Sequence, residues 1–380
     1  MCFADKKKND SKLKISTPYE EGIYFDMPEE EYHKIPYFSR GGCEYMVFDP
    51  SGEEYWHNSS MNPEYMPIEQ TPAMALGAAI HCMVLEPRRF DGLYVKRPTL
   101  ESFQGKEVFK TSEDIKAFLD SVGEKKTGKK EDLIARALPY LDPKTHIIWD
   151  NVIEDFENTI ADGEKREISE NNAKILKGIR EAVKRRKNMT ELLNKIRSEI
   201  TIIWKDEMTG LMCKCRLDGA RPEAIIEVKS YSVKNKKKSL KKTLADTISY
   251  DMYNLQFYVY KTALETIIKK IKIGKAKVFG DVDKQWLDEF LEYPNKQFFI
   301  LYFRTQAPFQ CEYKELERAA VNDATANVYY SQAQMLWEFG ITNCKRCFQV
   351  HGVNRWIGEK DGDVLSDEDV PNIIYQSSSI

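Results

Sequence analysis

"LDGARPEAIIEVKS", residues 217–230, sets Asp218, Glu227 and Lys229 around a short apolar run. Ala224 to Ile226 and Val228 read as a strand crossing a core. Strand side chains alternate, so Glu227 and Lys229 point to the same face. A carboxylate and an ammonium at the end of a buried strand cost desolvation unless a site requires them. Just upstream, "SEITIIWKDEMTGLMCKCRLDG" reads as a hairpin turning at Met208-Thr209-Gly210, with Asp218 ending its second strand. With these strands as neighbours, Asp218 and Glu227 converge on one point. Two hard oxygen ligands suit Mg²⁺ or Mn²⁺, with water in the remaining positions. Lys229 beside them could hold or deprotonate such a water. The competing reading of the same string is a solvated strand end carrying a surface ion pair.

The surroundings bear on that choice. The chain has 380 residues, enough for one large domain or two; 42% are hydrophobic and 31% charged, and the formal net charge is −3. That near-neutral total neither predicts nor excludes nucleic-acid binding, because local distribution decides. Eight thinly spread cysteines do not make a secreted-type disulfide framework. The start, Met-Cys-Phe-Ala-Asp followed by lysines, lacks the apolar segment of a signal peptide, and "FFILYF" (298–303) is too short to span a bilayer. The expectation is a protein of the cytoplasm, with no membrane partner.

Residues 1–18 read as a flexible, Lys-rich leader, and 19–70 as irregular structure with short turns. In "TPAMALGAAIHCMVLEPRRF" (71–90), Met74, Ala78, His81, Cys82 and Leu85 recur at helical spacing between Pro72 and Pro87. His81 thus lies on a mostly apolar helix face, either as a further metal ligand or as a satisfied core histidine. Residues 111–138 pattern as two short helices around a basic loop with Lys125, Lys126, Lys129 and Lys130, and Gly123 stops the first helix. Residues 150–198 look helical and highly charged. A long helix over roughly 244–270 sets Gln256 and Tyr260 four residues apart on one face. Strands "QFFILYFRT" and "FQCEYKEL" and a helix near 317–339 follow. Strands flanked by long helices predict an α/β fold with a mixed central sheet. The expected division is 19–110 and 150–340 as the main domain, 111–140 as an insertion, and 341–380 as a tail.

Taken in order, His81, Asp218, Glu227-Val228-Lys229 and Gln256-x-x-x-Tyr260 resemble the PD-(D/E)XK nuclease superfamily in its RecB-like branch. More closely, "LGAAIHCMVLEP", "IIWKDEMTGLMCKCRLDG", "IIEVKS" and "LQFYVY" look like the exonuclease VIII (RecE-type) exodeoxyribonucleases of phages and prophages. The resemblance implies a restriction-endonuclease-like core. It implies that Asp218, Glu227, the Val228 carbonyl and His81 hold Mg²⁺ or Mn²⁺, that Lys229 positions or activates water, and that Gln256 and Tyr260 brace the site. Glu199 falls where such enzymes can carry an additional acidic residue. The implied activity is ATP-independent 5′→3′ digestion of linear duplex DNA in a bacterial host cell. It leaves a 3′ single strand for an annealing partner, and family members form rings. The alternatives are a structure-specific endonuclease on the same core and an inactive protein that holds DNA ends.

The 111–138 unit resembles a SAP or HeH-type helix–loop–helix module. Such modules bind DNA, and the four loop lysines would add salt-dependent, sequence-independent affinity. The alternative is a solvated helical hairpin. The Lys cluster at 234–242 is either a DNA-tracking or a solvated loop. Cys344 and Cys347 form a single CxxC without a matching second pair, so neither an iron–sulfur cluster nor a zinc site is expected.

Overall fold

The computed structural model describes residues 19–67, 69–163, 165–233, 251–293, 296–316 and 328–357. The leader, the lysines of 234–242 and the end of the tail lie outside the described residues, as do the first residues of the helices expected over 244–270 and 317–339.

The N-terminal part holds β1 (Gly22–Tyr24), α1 (Glu29–Lys34), α2 (Arg40–Phe48) and α3 (Glu53–His57), then α4 (Pro72–Leu85), α5 (Pro87–Leu93) and β2 (Tyr94–Lys96). An excursion follows, through β3 (Glu107–Phe109), α6 (Ser112–Ser121), α7 (Lys130–Ala137), β4 (His146–Ile148) and α8 (Trp149–Ala161). The chain returns through β5 (Arg166–Ile168), α9 (Glu170–Lys184) and α10 (Lys187–Leu192). The central strands are β6 (Arg197–Lys205), β7 (Met212–Arg221) and β8 (Ala224–Tyr231). Then come α11 (Tyr253–Lys272), β9 (Lys277–Phe279), α12 (Lys284–Glu292), β10 (Gln297–Arg304), β11 (Cys311–Leu316) and α13 (Val328–His351).

Seven strands form one mixed sheet in the order β11-β10-β8-β7-β6-β1-β9. β8–β10 and β1–β9 are parallel and the other pairs antiparallel. A parallel neighbour requires a crossover, here supplied by the helices between β8 and β10. One sheet face packs Ile202, Trp204 and Cys215 against α11 (Phe257, Val259, Leu264) and α13 (Trp337, Ile341). The other packs Ile226, Val228 and Leu301 against α4 (Ile80, Met83) and α9 (Leu176, Ile179). Buried strands covered on both sides read as near-continuous apolar runs, which is why "AIIEV" and "FFILYF" carry so little polarity.

Four expectations are corrected. The stretch 19–70 is not irregular. Its helices are five to nine residues long, too short to show a period, and they are ordered by long-range packing: Cys43, Met46 and Val47 of α2 are buried in the core shared with α13. No tail begins at 341, because α13 continues unbroken to His351, with Cys344 and Cys347 as buried core positions. Asp218 does not end its strand: β7 runs on to Arg221.

The excursion is larger than 111–140. β3 pairs with β4 and encloses a core of its own: Phe109, Ile115, Leu119, Leu133, Ala137 and Ile148. Nearer the main body, β2 pairs with β5, so the small unit hangs on two successive parallel bridges. Thr111 opens α6, its hydroxyl accepting from Asp114 N at 3.2 Å while Asp114 Oδ2 accepts from Thr111 N at 2.7 Å. Gly123 at φ +77° lets the chain leave the helix as predicted.

Candidate active site

The β6–β7 ladder runs from Lys205↔Met212 to Arg197↔Ala220, skipping Glu199 and Asp218, and β8 pairs with β10 along its whole length. The β7–β8 ladder, by contrast, holds only for Gly219↔Ile226, Ala220↔Ile225 and Arg221↔Ala224. Beyond that base the two strands part. Where they part, the Asp218 side chain takes over: its Oδ2 accepts from Val228 N at 2.8 Å. A carboxylate replaces a ladder carbonyl, and the sheet opens a gap between β7 and β8. Gly219 permits the tight approach at this point, since a Cβ there would meet Ile196 Cδ1 at 2.4 Å.

Glu227 faces the gap with 1% of its side chain exposed. Lys229 Nζ lies 2.5 Å from its Oε1, and Gln256 Nε2 donates to the same oxygen at 2.8 Å. Tyr260 Oη is 3.0 Å from Glu227 Oε2 and 2.9 Å from the Arg216 carbonyl, so its single proton serves one acceptor at a time. Gln256 Nε2 also donates to Tyr260 Oη at 2.7 Å. The i, i+4 pair on α11 therefore grips Glu227 from one side. From the other side α4 delivers His81, Nδ1 3.6 Å from Asp218 Oδ2 and within hydrogen-bonding reach of the Val228 carbonyl. Thr71 caps α4, accepting from Met74 N at 3.2 Å, and Pro72 opens it. The five residues Asp218, Glu227, Lys229, Gln256 and Tyr260, with His81 and the Val228 backbone, thus meet in one place.

The charges there do not balance. Burial, and then the Glu227 charge, hold the Asp218 carboxyl well above the usual carboxylate range, with Lys229 pulling the other way. Burial alone would lower the Lys229 pKa, but Glu227 and Asp218 outweigh it and raise it, so Lys229 is a cation. Burial lowers the His81 pKa and leaves the imidazole neutral, with a lone pair to offer. Burial and the Glu227 charge push the Tyr260 phenol well up, keeping it a donor.

Among the described residues no three His, Cys, Asp or Glu side chains are already gathered as a metal cluster. The donor set nonetheless fits a hard divalent cation. Buried Glu227 and half-buried Asp218 face the Lys229 ammonium, a neutral imidazole and a backbone carbonyl adjoin them, and burial together with the Glu227 charge raises the Asp218 pKa.

Three neighbours lie outside the residues singled out from the sequence. Tyr253 sets its ring 4.8 Å from Lys229 Nζ. Arg216 holds Glu199 at 2.5 Å and donates to the Met27 carbonyl at 2.9 Å, so Glu199, at φ +57°, is clamped beside the gap. Arg40, on α2, donates to the Asp251 carbonyl and pairs with Glu44 at 2.7 Å, close enough for its charge to be felt at Lys229. A two-residue step on β7 from Asp218 would have flagged Arg216; Arg40 and Tyr253 depend on tertiary contacts alone. A cleft of about 200 Å³ opens beside His81, lined also by Arg89, Tyr94, Arg166, Glu199 and Arg216. Tyr94 and Arg166 are the first β2–β5 partners, so the excursion is rooted at this cleft.

The loop lysines belong to the excursion and divide into two kinds. Lys125, Lys126 and Lys129 are exposed, whereas Lys130 is committed to Asp150 at 2.7 Å and to the Lys110 carbonyl. Lys126 pairs with Asp120 at 2.7 Å. Residues 107–148 carry eight basic and eight acidic side chains, so any attraction for phosphate is confined to the loop. Burial pushes up the thiol pKa of Cys344 and Cys347, and Cys347 Sγ lies 3.1 Å from the Ser51 carbonyl. Among the described residues no helix is long and apolar enough to cross a membrane.

No curated protein matches the chain. Its fold aligns with the crystal structure of a "Putative exonuclease" from Eubacterium rectale at a TM-score of 0.40 and 11% identity, over 91% of this chain and 97% of that one, a likeness too distant to argue from. Residues 53–289, more than half of the chain, match the family described as "PDDEXK-like domain of unknown function (DUF3799)" and include His81, Asp218, Glu227, Lys229, Gln256 and Tyr260. The chain belongs to this PDDEXK-like family, and its mixed sheet flanked by helices is in keeping with that fold.

Proposed function

We propose that the protein is a metal-dependent, ATP-independent exodeoxyribonuclease that digests linear duplex DNA 5′→3′ and leaves a 3′ single strand for an annealing partner. The supporting observation is the convergence of Asp218, Glu227 and Lys229 where β7 and β8 part. The 5′→3′ direction, the duplex-end substrate and the annealing partner rest on the resemblance to RecE-type enzymes.

Asp218, Glu227, His81 and the Val228 carbonyl would hold Mg²⁺ or Mn²⁺. When bound, the ion supplies Lewis acidity toward water and phosphate. Lys229, charged and braced by Glu227 and the Tyr253 ring, orients the attacking water and offsets charge on the phosphate. Gln256 and Tyr260 fix both oxygens of Glu227, which keeps that carboxylate from swinging out of the gap. The loop around Lys125, Lys126 and Lys129 contacts backbone phosphates away from the cut, with Lys130 anchoring the unit through Asp150.

The test is digestion of end-labelled linear duplex and closed circular duplex, each with and without Mg²⁺. Metal-dependent release from the 5′-labelled linear substrate, with the circle untouched, is expected. Cutting of the circle would assign a structure-specific endonuclease instead. Binding of ends without cleavage would leave only an end-holding protein.

A further inference from the structure

One strand step beyond Lys229, on the same face of β8, lies Tyr231, and its register partner on β10 is Arg304. Tyr231 is buried at 9% exposure. Among the described residues, neither its hydroxyl nor the buried Nε of Arg304 has a hydrogen-bond partner. Buried orphans are rare in native proteins, and each calls for an explanation. Here two of them are cross-strand neighbours. An arginine Nε can only donate, so the missing partner is an acceptor. The surroundings favour an anionic one: Arg304, Glu312 and Arg186 all act on Tyr231, Glu312 and Arg186 are paired with each other at 3.1 Å, and the charge of Arg304 is left in excess.

We propose that Tyr231 and Arg304 seat a backbone phosphate of the DNA strand, the phosphodiester next to the one held at Asp218, Glu227 and Lys229. This rests on the nuclease reading above. The two-residue step from Lys229 to Tyr231 is comparable with the separation of neighbouring phosphates along a strand. In the free protein both atoms are buried, and Gln310 lies against Arg304: Arg304 Nη1 donates to Gln310 Oε1 at 3.2 Å, and Arg304 N donates to the Gln310 carbonyl at 2.9 Å. A phosphate oxygen bonds a guanidinium more strongly than a neutral amide oxygen does, so the entering strand displaces the Gln310 side chain and supplies the acceptor both orphans lack.

The test uses the full chain. The linkage cut in Mg²⁺ is first mapped on a labelled duplex. Affinities are then measured by fluorescence anisotropy in metal-free buffer, on duplexes carrying one uncharged methylphosphonate at successive linkages. The wild type is expected to lose affinity on the order of tenfold when the linkage adjacent to the cut is neutralised. Tyr231→Phe and Arg304→Gln are expected to show that loss on unmodified DNA and no additional loss at that linkage. Because Tyr231→Phe removes only an unpartnered hydroxyl, its thermal midpoint is expected to equal or exceed that of the wild type. Variants that bind like the wild type, or that still sense the neutral linkage, overturn the seat. So does a lowered midpoint for Tyr231→Phe with unchanged DNA affinity, which would assign the hydroxyl to an internal water. Failure of the wild type to bind or cut DNA overturns the nuclease reading itself, and the seat with it.

Discussion

Replacing Lys229 with alanine removes the ammonium that faces both Asp218 and Glu227. Glu227 is 1% exposed and cannot recover the loss from solvent. Removing one partner of a buried ion pair costs about 3–5 kcal/mol. The low end applies here, because the raised pKa of Asp218 lets that carboxyl take up a proton and relieve part of the repulsion. A destabilisation of about 3 kcal/mol in a chain of this size lowers the thermal midpoint by several degrees. A divalent cation should reverse it, since the ion supplies the charge the lysine took away. Thermal unfolding with and without Mg²⁺ therefore gives a larger metal-induced rise for Lys229→Ala than for the wild type. The same variant binds duplex nearly as well as the wild type and does not cut it. An unchanged midpoint, or retained cutting, would refute the role assigned to Lys229.

Neutralising Lys125, Lys126 and Lys129 weakens DNA binding and flattens the dependence of log affinity on log salt by about 0.9 for each phosphate left without its lysine; an unchanged slope marks a solvated hairpin. Tyr260→Phe removes the single proton that serves either Glu227 Oε2 or the Arg216 carbonyl, and lowers stability by about 1–3 kcal/mol in denaturant titration. Burial pushes the Lys214 pKa down to about 7, with its ammonium held by the Tyr32 and Ile35 carbonyls at 2.7 Å. Above pH 7 the unfolded chain keeps a proton on this lysine that the folded chain has lost, so stability rises with pH toward the unfolded value near 10.5. Lys214→Met removes about 1.4 kcal/mol per pH unit of that slope between about pH 7.5 and 9. Denaturation curves across that range check it; Lys296, also lowered to about 7 by burial, sustains the remaining slope.

The parts of the site that sequence displays are those set by local periodicity. Alternation puts Glu227 and Lys229 on one face, four-residue spacing aligns Gln256 with Tyr260, and Pro72 and Pro87 frame the helix of His81. What sequence hides is the parting of β7 from β8, because a ladder bond replaced by the Asp218 carboxylate leaves no compositional trace. The three-residue strands β2 to β5 are invisible for a related reason: each exists only through a partner about 40 to 70 residues away in the chain. Arg40 gives no local signal because α2 draws its order from α13, far along the chain. The small unit between β3 and β4 is legible as two helices, but its true limits follow from the core that closes them, Phe109 and Ile148 included.

The proposed reaction depends on Asp218 and Glu227 holding one divalent cation in the gap between β7 and β8. Crystals soaked in Mn²⁺ and measured for anomalous scattering test it most directly. A single strong peak is expected between the two carboxylates, next to His81 and the Val228 carbonyl. A featureless gap, or a peak at some other cluster of the molecule, would contradict it.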